Sequence, residues 1–187
     1  MKDVVLLDSG GSNYTSLQAA FARLGAHCVQ SSDPVRIRNA SHVVLPGVGS
    51  AASAMAAIDA QRLAPVIASL RQPVLGICLG MQILFEHSEE SDIDCLGLIP
   101  GRVRRMPDAS GIRVPHMGWN SIRSTGAEAL LAGLDGMDFY FVHSFAAEPG
   151  PHSIALTRHG EAFSAAVARG NLFGVQFHPE RSGAQGQ

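Results

Sequence analysis

The stretch Pro73-Val74-Leu75-Gly76-Ile77-Cys78-Leu79-Gly80-Met81-Gln82 constrains this chain more than any other. Val74 to Ile77 is a short apolar run that reads as a buried strand, and a helix from Leu79 to about Phe85 follows with only Cys78 between. Gly76 and Gly80 stand two positions before and two after the cysteine, the G-x-nucleophile-x-G spacing of a sharp strand-to-helix turn. Side chains at those flanks would collide with the neighbouring strand or helix, so glycine is required. A thiol in that turn lies at a helix N-terminus, where unpaired N–H groups and the dipole favour the thiolate. The Leu79 N–H is placed to donate to an oxyanion forming on a substrate. Taken alone, the pattern equally describes a buried cysteine at a strand end.

Gln176-Phe177-His178-Pro179-Glu180 tips the balance. It closes a last apolar strand, Leu172 to Phe177, and supplies an imidazole and a carboxylate two positions apart. If the strand ends there, both side chains project to the same side of the sheet. A cysteine nucleophile, a histidine to take its proton and an acid to orient that histidine form a triad by role. A third apolar run, His42 to Leu45, ends in Pro46-Gly47-Val48-Gly49. Such a turn presents backbone N–H groups to an anion, or carries glycines for steric reasons only. With Cys78 in the same chain, the oxyanion role is the better reading for Gly49.

The remaining pattern specifies an α/β fold. Up to Gly101, buried strands (Val4 to Asp8, about His27 to Ser31, His42 to Leu45, Val74 to Ile77) alternate with helical stretches. Ser50 to Leu70 is alanine-rich and interrupted at Pro65, which predicts two helices or one kinked helix. After Gly101, short strands and turns take over, among them one through Phe139 to Val142. The expectation is a mostly parallel central sheet flanked by helices, with a more antiparallel second half, as one domain over residues 1–187. Ligands should bind beyond the carboxyl ends of the strands, where Pro46, Cys78 and His178 all fall.

Composition narrows the chemistry. A net charge of −2 argues against nucleic acid or an acidic membrane surface as partner. Three cysteines without a C-x-x-C suggest neither a disulfide framework nor a zinc site, and no metal or organic cofactor is expected. Cys28 and Cys95 read as small core residues. No signal peptide precedes Val4 and no apolar run is long enough to span a membrane, so the cytoplasm is the expected location. The acidic stretch from Glu86 to Glu90 and the arginines 102, 104 and 105 read as solvated surface.

G-I-C-L-G-M-Q with a distant Q-F-H-P-E resembles the class I, triad-type glutamine amidotransferases, and Pro46-Gly47-Val48-Gly49 resembles that family's oxyanion loop. Within the family, Pro115-His116-Met117-Gly118-Trp119-Asn120 and Tyr140-Phe141-Val142-His143-Ser144 resemble the glutaminase subunits of imidazole glycerol phosphate synthases. The resemblance implies glutamine as substrate, with Gln82, His143 and Ser144 at the bound glutamine. It also implies a heterodimer whose partner is a cyclase (synthase) subunit, contacted through Asn13, Met117, Trp119 and Arg181. Asn13 equally suits a helix cap. Phe145 stands where the subfamily usually has tyrosine, Arg181 where it commonly has lysine, and the family continues into a terminal helix. Two rival readings of the same residues are a glutaminase subunit of another amidotransferase and a free-standing cysteine hydrolase. A non-enzymatic binding module would have little reason to keep Cys78, His178 and Glu180 together.

Overall fold

A computed structural model describes residues 2–8, 14–108, 111–126 and 129–187. The first half alternates strand and helix: β1 (Asp3–Leu7), α1 (Tyr14–Arg23), β2 (His27–Ser31), α2 (Pro34–Asn39) and β3 (His42–Leu45). Next come α3 (Ala51–Ala60), α4 (Ala64–Ser69), β4 (Val74–Ile77) and α5 (Leu79–Gln82). Short strands then dominate: β5 (His87–Ser88), β6 (Ile93–Asp94), β7 (Arg102–Arg105), β8 (His116–Ser121) and β9 (Arg123–Ser124). The chain closes with β10 (Asp138–His143), β11 (Phe145–Ala147), β12 (Ser153–His159), β13 (Glu161–Arg169) and β14 (Leu172–Val175).

Eight strands form one sheet in the order β2-β1-β3-β4-β14-β13-β12-β9. The pairings from β2 to β14 are parallel and those from β14 to β9 antiparallel. The expected mostly parallel sheet with an antiparallel second half is therefore observed. The inner parallel strands β1, β3 and β4 are largely buried on both faces, and the pleat sorts their residues by alternation. Val5, Leu7, Val43 and Leu45 join a core with Ile58, Val66 and Ile67 from α3 and α4. Val4, Leu6 and Val44 join a second core with Leu17 of α1 and Phe139 and Phe141 of β10.

Local chemistry explains where helices begin. Asp33 caps α2 by accepting from the Val35 N–H at 2.9 Å, with Pro34 in its first turn. Ser50 and Ser53 form a reciprocal capping box at the start of α3. The Ser50–Leu70 stretch is two helices, with Pro65 tolerated in the first turn of α4. The helix after Cys78 is shorter than expected and stops at Gln82. The carbonyls of Ile83, Leu84 and Phe85 instead accept from the N–H groups of residues 96–99, at 2.8–3.0 Å. A crossing segment thus takes up the acceptors that a longer helix would have used.

Candidate active site

Three neighbouring parallel strands, β3, β4 and β14, deliver the site. Their carboxyl ends run into the Pro46–Gly49 loop, Cys78 and the His178 segment respectively, so residues far apart in sequence arrive side by side. Cys78 adopts φ 53° and ψ −112°, a left-handed conformation that a non-glycine residue occupies at a cost of about 1–3 kcal/mol. The turn holds because neighbouring backbones approach too closely for side chains. A Cβ on Gly76 would lie 2.5 Å from the Gly80 carbonyl oxygen, and one on Gly80 would run into the Leu45 carbonyl oxygen. The glycines of the elbow therefore serve close packing against β3 and α5.

Below the thiol, Cys78 N–H donates to the Val175 carbonyl at 2.8 Å, tying the turn to β14. The Leu79 N–H, at the first position of α5, donates to no protein group among the described residues. Gly49 has φ +98°, a backbone shape that favours glycine. Both expected oxyanion residues border the same cavity as the thiol.

His178 is held on three sides. Its N–H donates to the Tyr140 carbonyl at 2.9 Å, and its own carbonyl accepts from the Ser182 hydroxyl at 2.6 Å. That hydroxyl in turn accepts from the Tyr140 N–H at 3.0 Å, so one fully buried serine locks the segment to β10. Nδ1 of His178 lies 2.9 Å from Glu180 Oε1, with the two side chains 8% and 5% exposed. The carboxylate accepts, so Nδ1 carries the proton and Nε2 is the nitrogen left for Cys78. Burial pulls the imidazole pKa down, but hydrogen bonds to Cys78 and Glu180 and their charges outweigh it and raise it to about 10. The imidazolium is the favoured form. Glu180 Oε2 is buried with no hydrogen-bond partner among the described residues, leaving His178 as this carboxylate's hydrogen-bonding counterpart.

Cys78, His178, Glu180, Gly49, Leu79, Gln82, His143, Ser144 and Arg181 line one cavity of about 430 Å³. Met117 and Trp119 lie outside it on β8, 64% and 56% exposed. Trp119 meets the Tyr140 ring edge-on at 6.2 Å, and the Arg181 guanidinium sits 4.8 Å over that same ring. Through Tyr140 and Arg181, which itself lines the cavity, Trp119 is linked to the cavity's edge. Asn13 lies outside the described residues. His143 borders the cavity, but both its ring nitrogens are engaged by protein groups, at 2.8 Å from the Phe145 carbonyl and 3.0 Å from His116 Nδ1. Ring hydrogen bonding to a ligand is thereby closed to it.

Two features in and behind the cavity escaped the sequence reading. Glu90, read as solvated, lines the cavity and accepts from the Ala51 N–H at 2.7 Å, capping α3 from a distance. The other acids nearby also cap backbone: Glu86 accepts from Gly101 N–H and Glu89 from Arg105 N–H. Gln176 is fully buried and its Nε2 stands 3.6 Å from the Cys78 sulfur. Its presence in a buried strand end, where an uncharged amide needs partners, was the available signal.

A cysteine in a strained elbow, a histidine with a buried carboxylate behind it and the unpaired Leu79 N–H border one cavity, the arrangement that nucleophilic amide hydrolysis requires. The chain belongs to the class I glutamine amidotransferases: the family model described as Glutamine amidotransferase class-I matches residues 5–187. Among individual relatives, it is 49% identical over 187 residues to the imidazole glycerol phosphate synthase subunit HisH of Xanthomonas axonopodis pv. citri, covering 100% of this chain and 94% of that protein. Xylella fastidiosa has a protein of the same name with the same identity and coverage. The imidazole glycerol phosphate synthase subunit HisH 2 of Legionella pneumophila is 47% identical over 180 residues, 96% of this chain and 90% of that one. Solved structures share the fold at low identity. A glutamine amidotransferase from Thermotoga maritima aligns with TM-score 0.70 at 16% identity, covering 96% of this chain and 76% of that chain. PurLQS from Thermotoga maritima aligns with TM-score 0.70 at 21%, covering 96% and 88%.

Proposed function

We propose that this chain hydrolyses glutamine to glutamate and ammonia through a cysteinyl thioester, as the glutaminase subunit of an imidazole glycerol phosphate synthase. The observation that carries the reading is the meeting of Cys78, His178 and Glu180 in one cavity with the free Leu79 N–H. The Cys78 thiolate attacks the side-chain amide carbon, and the carbonyl oxygen becomes an oxyanion beside Leu79 N–H and the Gly49 loop. His178 gives its Nε2 proton to the departing nitrogen, the C–N bond breaks, and ammonia and the thioester are formed. Neutral His178 then takes a proton from water, whose oxygen attacks the thioester. Collapse expels the Cys78 thiolate with glutamate, and imidazolium and thiolate are restored. Glu180 holds Nδ1–H throughout and faces the positive charge.

The ammonia is passed to a cyclase subunit that docks on Met117, Trp119, Tyr140 and Arg181. Exposed Met and Trp beside an arginine are the side chains that anchor protein interfaces, and this patch ends at the cavity that makes the ammonia. In that partner a ribulosyl phosphate intermediate of histidine biosynthesis is converted into imidazole glycerol phosphate and an aminoimidazole carboxamide ribotide. Gln82 and Glu90 offer acceptors to the α-ammonium group of glutamine. Cys78→Ala should abolish synthesis from glutamine in the reconstituted pair while synthesis from added ammonia continues. Loss of both would place the cysteine's role in structure, and retention of both would remove it from the reaction.

A further inference from the structure

Buried His116 and His143 and half-buried Asn120 form a polar cluster that the mechanism above leaves unused. Its hydrogen bonds have only one possible direction. The Phe145 carbonyl can only accept, so the His143 Nδ1 at 2.8 Å carries a proton and, in the neutral ring, Nε2 is a lone pair. His116 Nδ1, 3.0 Å away, must then donate to it, which leaves His116 Nε2 as an acceptor. Asn120 Nδ2 supplies that donor at 3.3 Å and gives its second proton to the Arg158 carbonyl at 3.0 Å. A proton added to either ring would set two N–H groups against each other. Burial works the same way, pushing His143 down to about 3 and His116 to about 4, so the chain of bonds is neutral.

The same logic continues on the far side of the Phe145 carbonyl. Gln82 Nε2 donates to it at 2.7 Å and to Gln176 Oε1 at 2.9 Å, using both amide protons. Gln82 therefore presents only its carbonyl oxygen to the cavity it lines. Glutamine has two donor groups; its side-chain amide belongs at Cys78 and His178, which leaves the α-ammonium for Gln82.

We propose that His116 and Asn120 are positioning residues for glutamine recognition: the one-way relay from Asn120 through His116 and His143 holds the Phe145 carbonyl, and through it keeps the Gln82 amide turned acceptor-first toward the substrate ammonium. The inference rests on the glutaminase reading and adds the specificity device to it. His116→Phe keeps ring packing against Phe141 and His159 but removes both nitrogens. Asn120→Asp keeps shape but cannot donate. In the reconstituted synthase, each should raise KM for glutamine about tenfold, the size of one hydrogen bond, and change kcat less than about threefold. KM for glutaramate, which lacks the α-amino group, should move less than about twofold, because the aligned contact is absent from that substrate. His116→Asn, which retains a donor near the Nδ1 position, should recover most of the glutamine KM. The comparison of two substrates on one protein is independent of how much of each variant folds. Equal rises for both substrates, unchanged KM in both variants, or a loss confined to kcat would each overturn the relay. A wild-type complex that hydrolyses no glutamine would overturn the glutaminase reading and the relay together.

Discussion

Cys78 is buried where the other two cysteines are half-buried, and it differs from them above all in its neighbours. Desolvation, with Asp3 near one and Asp94 and Glu90 near the other, raises Cys28 and Cys95 to about 11, where thiolate is scarce at neutral pH. Cys78 has His178, whose imidazolium form is favoured, beside it in the same cavity. A diazoketone analogue of glutamine should therefore alkylate Cys78 and spare both others, read by peptide mapping; labelling led by Cys95 or Cys28 would refute the assignment. The relay histidines make a separate prediction. An imidazole held below its ordinary value stays neutral in the folded chain while the unfolded chain binds a proton below pH 6.5. Stability is then intact above pH 6.5 and declines as pH falls toward 4 for His116 and 3 for His143. His178, raised, is charged in both states below 6.5 and adds no slope there. Urea unfolding between pH 6 and 5 should report uptake of roughly two protons, and His116→Phe should remove about one of them.

At the scale of elements, the elbow and the strands around it were legible because each rests on local rules. Four-residue apolar runs bounded by turn residues predicted β3 and β4 with their observed ends, and G-x-C-x-G predicted the turn. What stayed hidden depended on contacts from elsewhere in the chain. The end of α5 is set by residues 96–99, Glu90 is drawn into the site by the start of α3, and His116 matters only because β8 pairs with β10 and places it opposite His143. No spacing in the sequence announces such pairings. The elbow geometry carries its own test. Gly80→Ala drives a methyl into the Leu45 carbonyl, a backbone atom that cannot rotate aside. The variant should lose more than the roughly 1–3 kcal/mol typical of overpacking, with a lower urea midpoint and loss of Cys78 alkylation. A variant as stable and reactive as wild type would show that the turn does not depend on this contact.

Across the whole molecule, the outward residues of β8 and the end of the β14 segment meet in one surface beside the cavity, with Val48 of the Pro46–Gly49 loop also 45% exposed. Hydrolysing glutamine without an acceptor for the ammonia wastes both, so we expect the glutaminase to be nearly idle until the partner docks. The Val48 peptide, flanked by Gly47 and Gly49, can reorient at low steric cost and complete the oxyanion site on docking. Such a change acts in the transition state and belongs in kcat. The direct test is steady-state glutamine hydrolysis by the purified chain, alone and with the cyclase partner plus its ribulosyl phosphate ligand. The account predicts that partner plus ligand raise kcat on the order of 10³-fold, a gain of the size oxyanion donors supply. Full activity in the isolated chain, or a partner effect confined to KM, would contradict it.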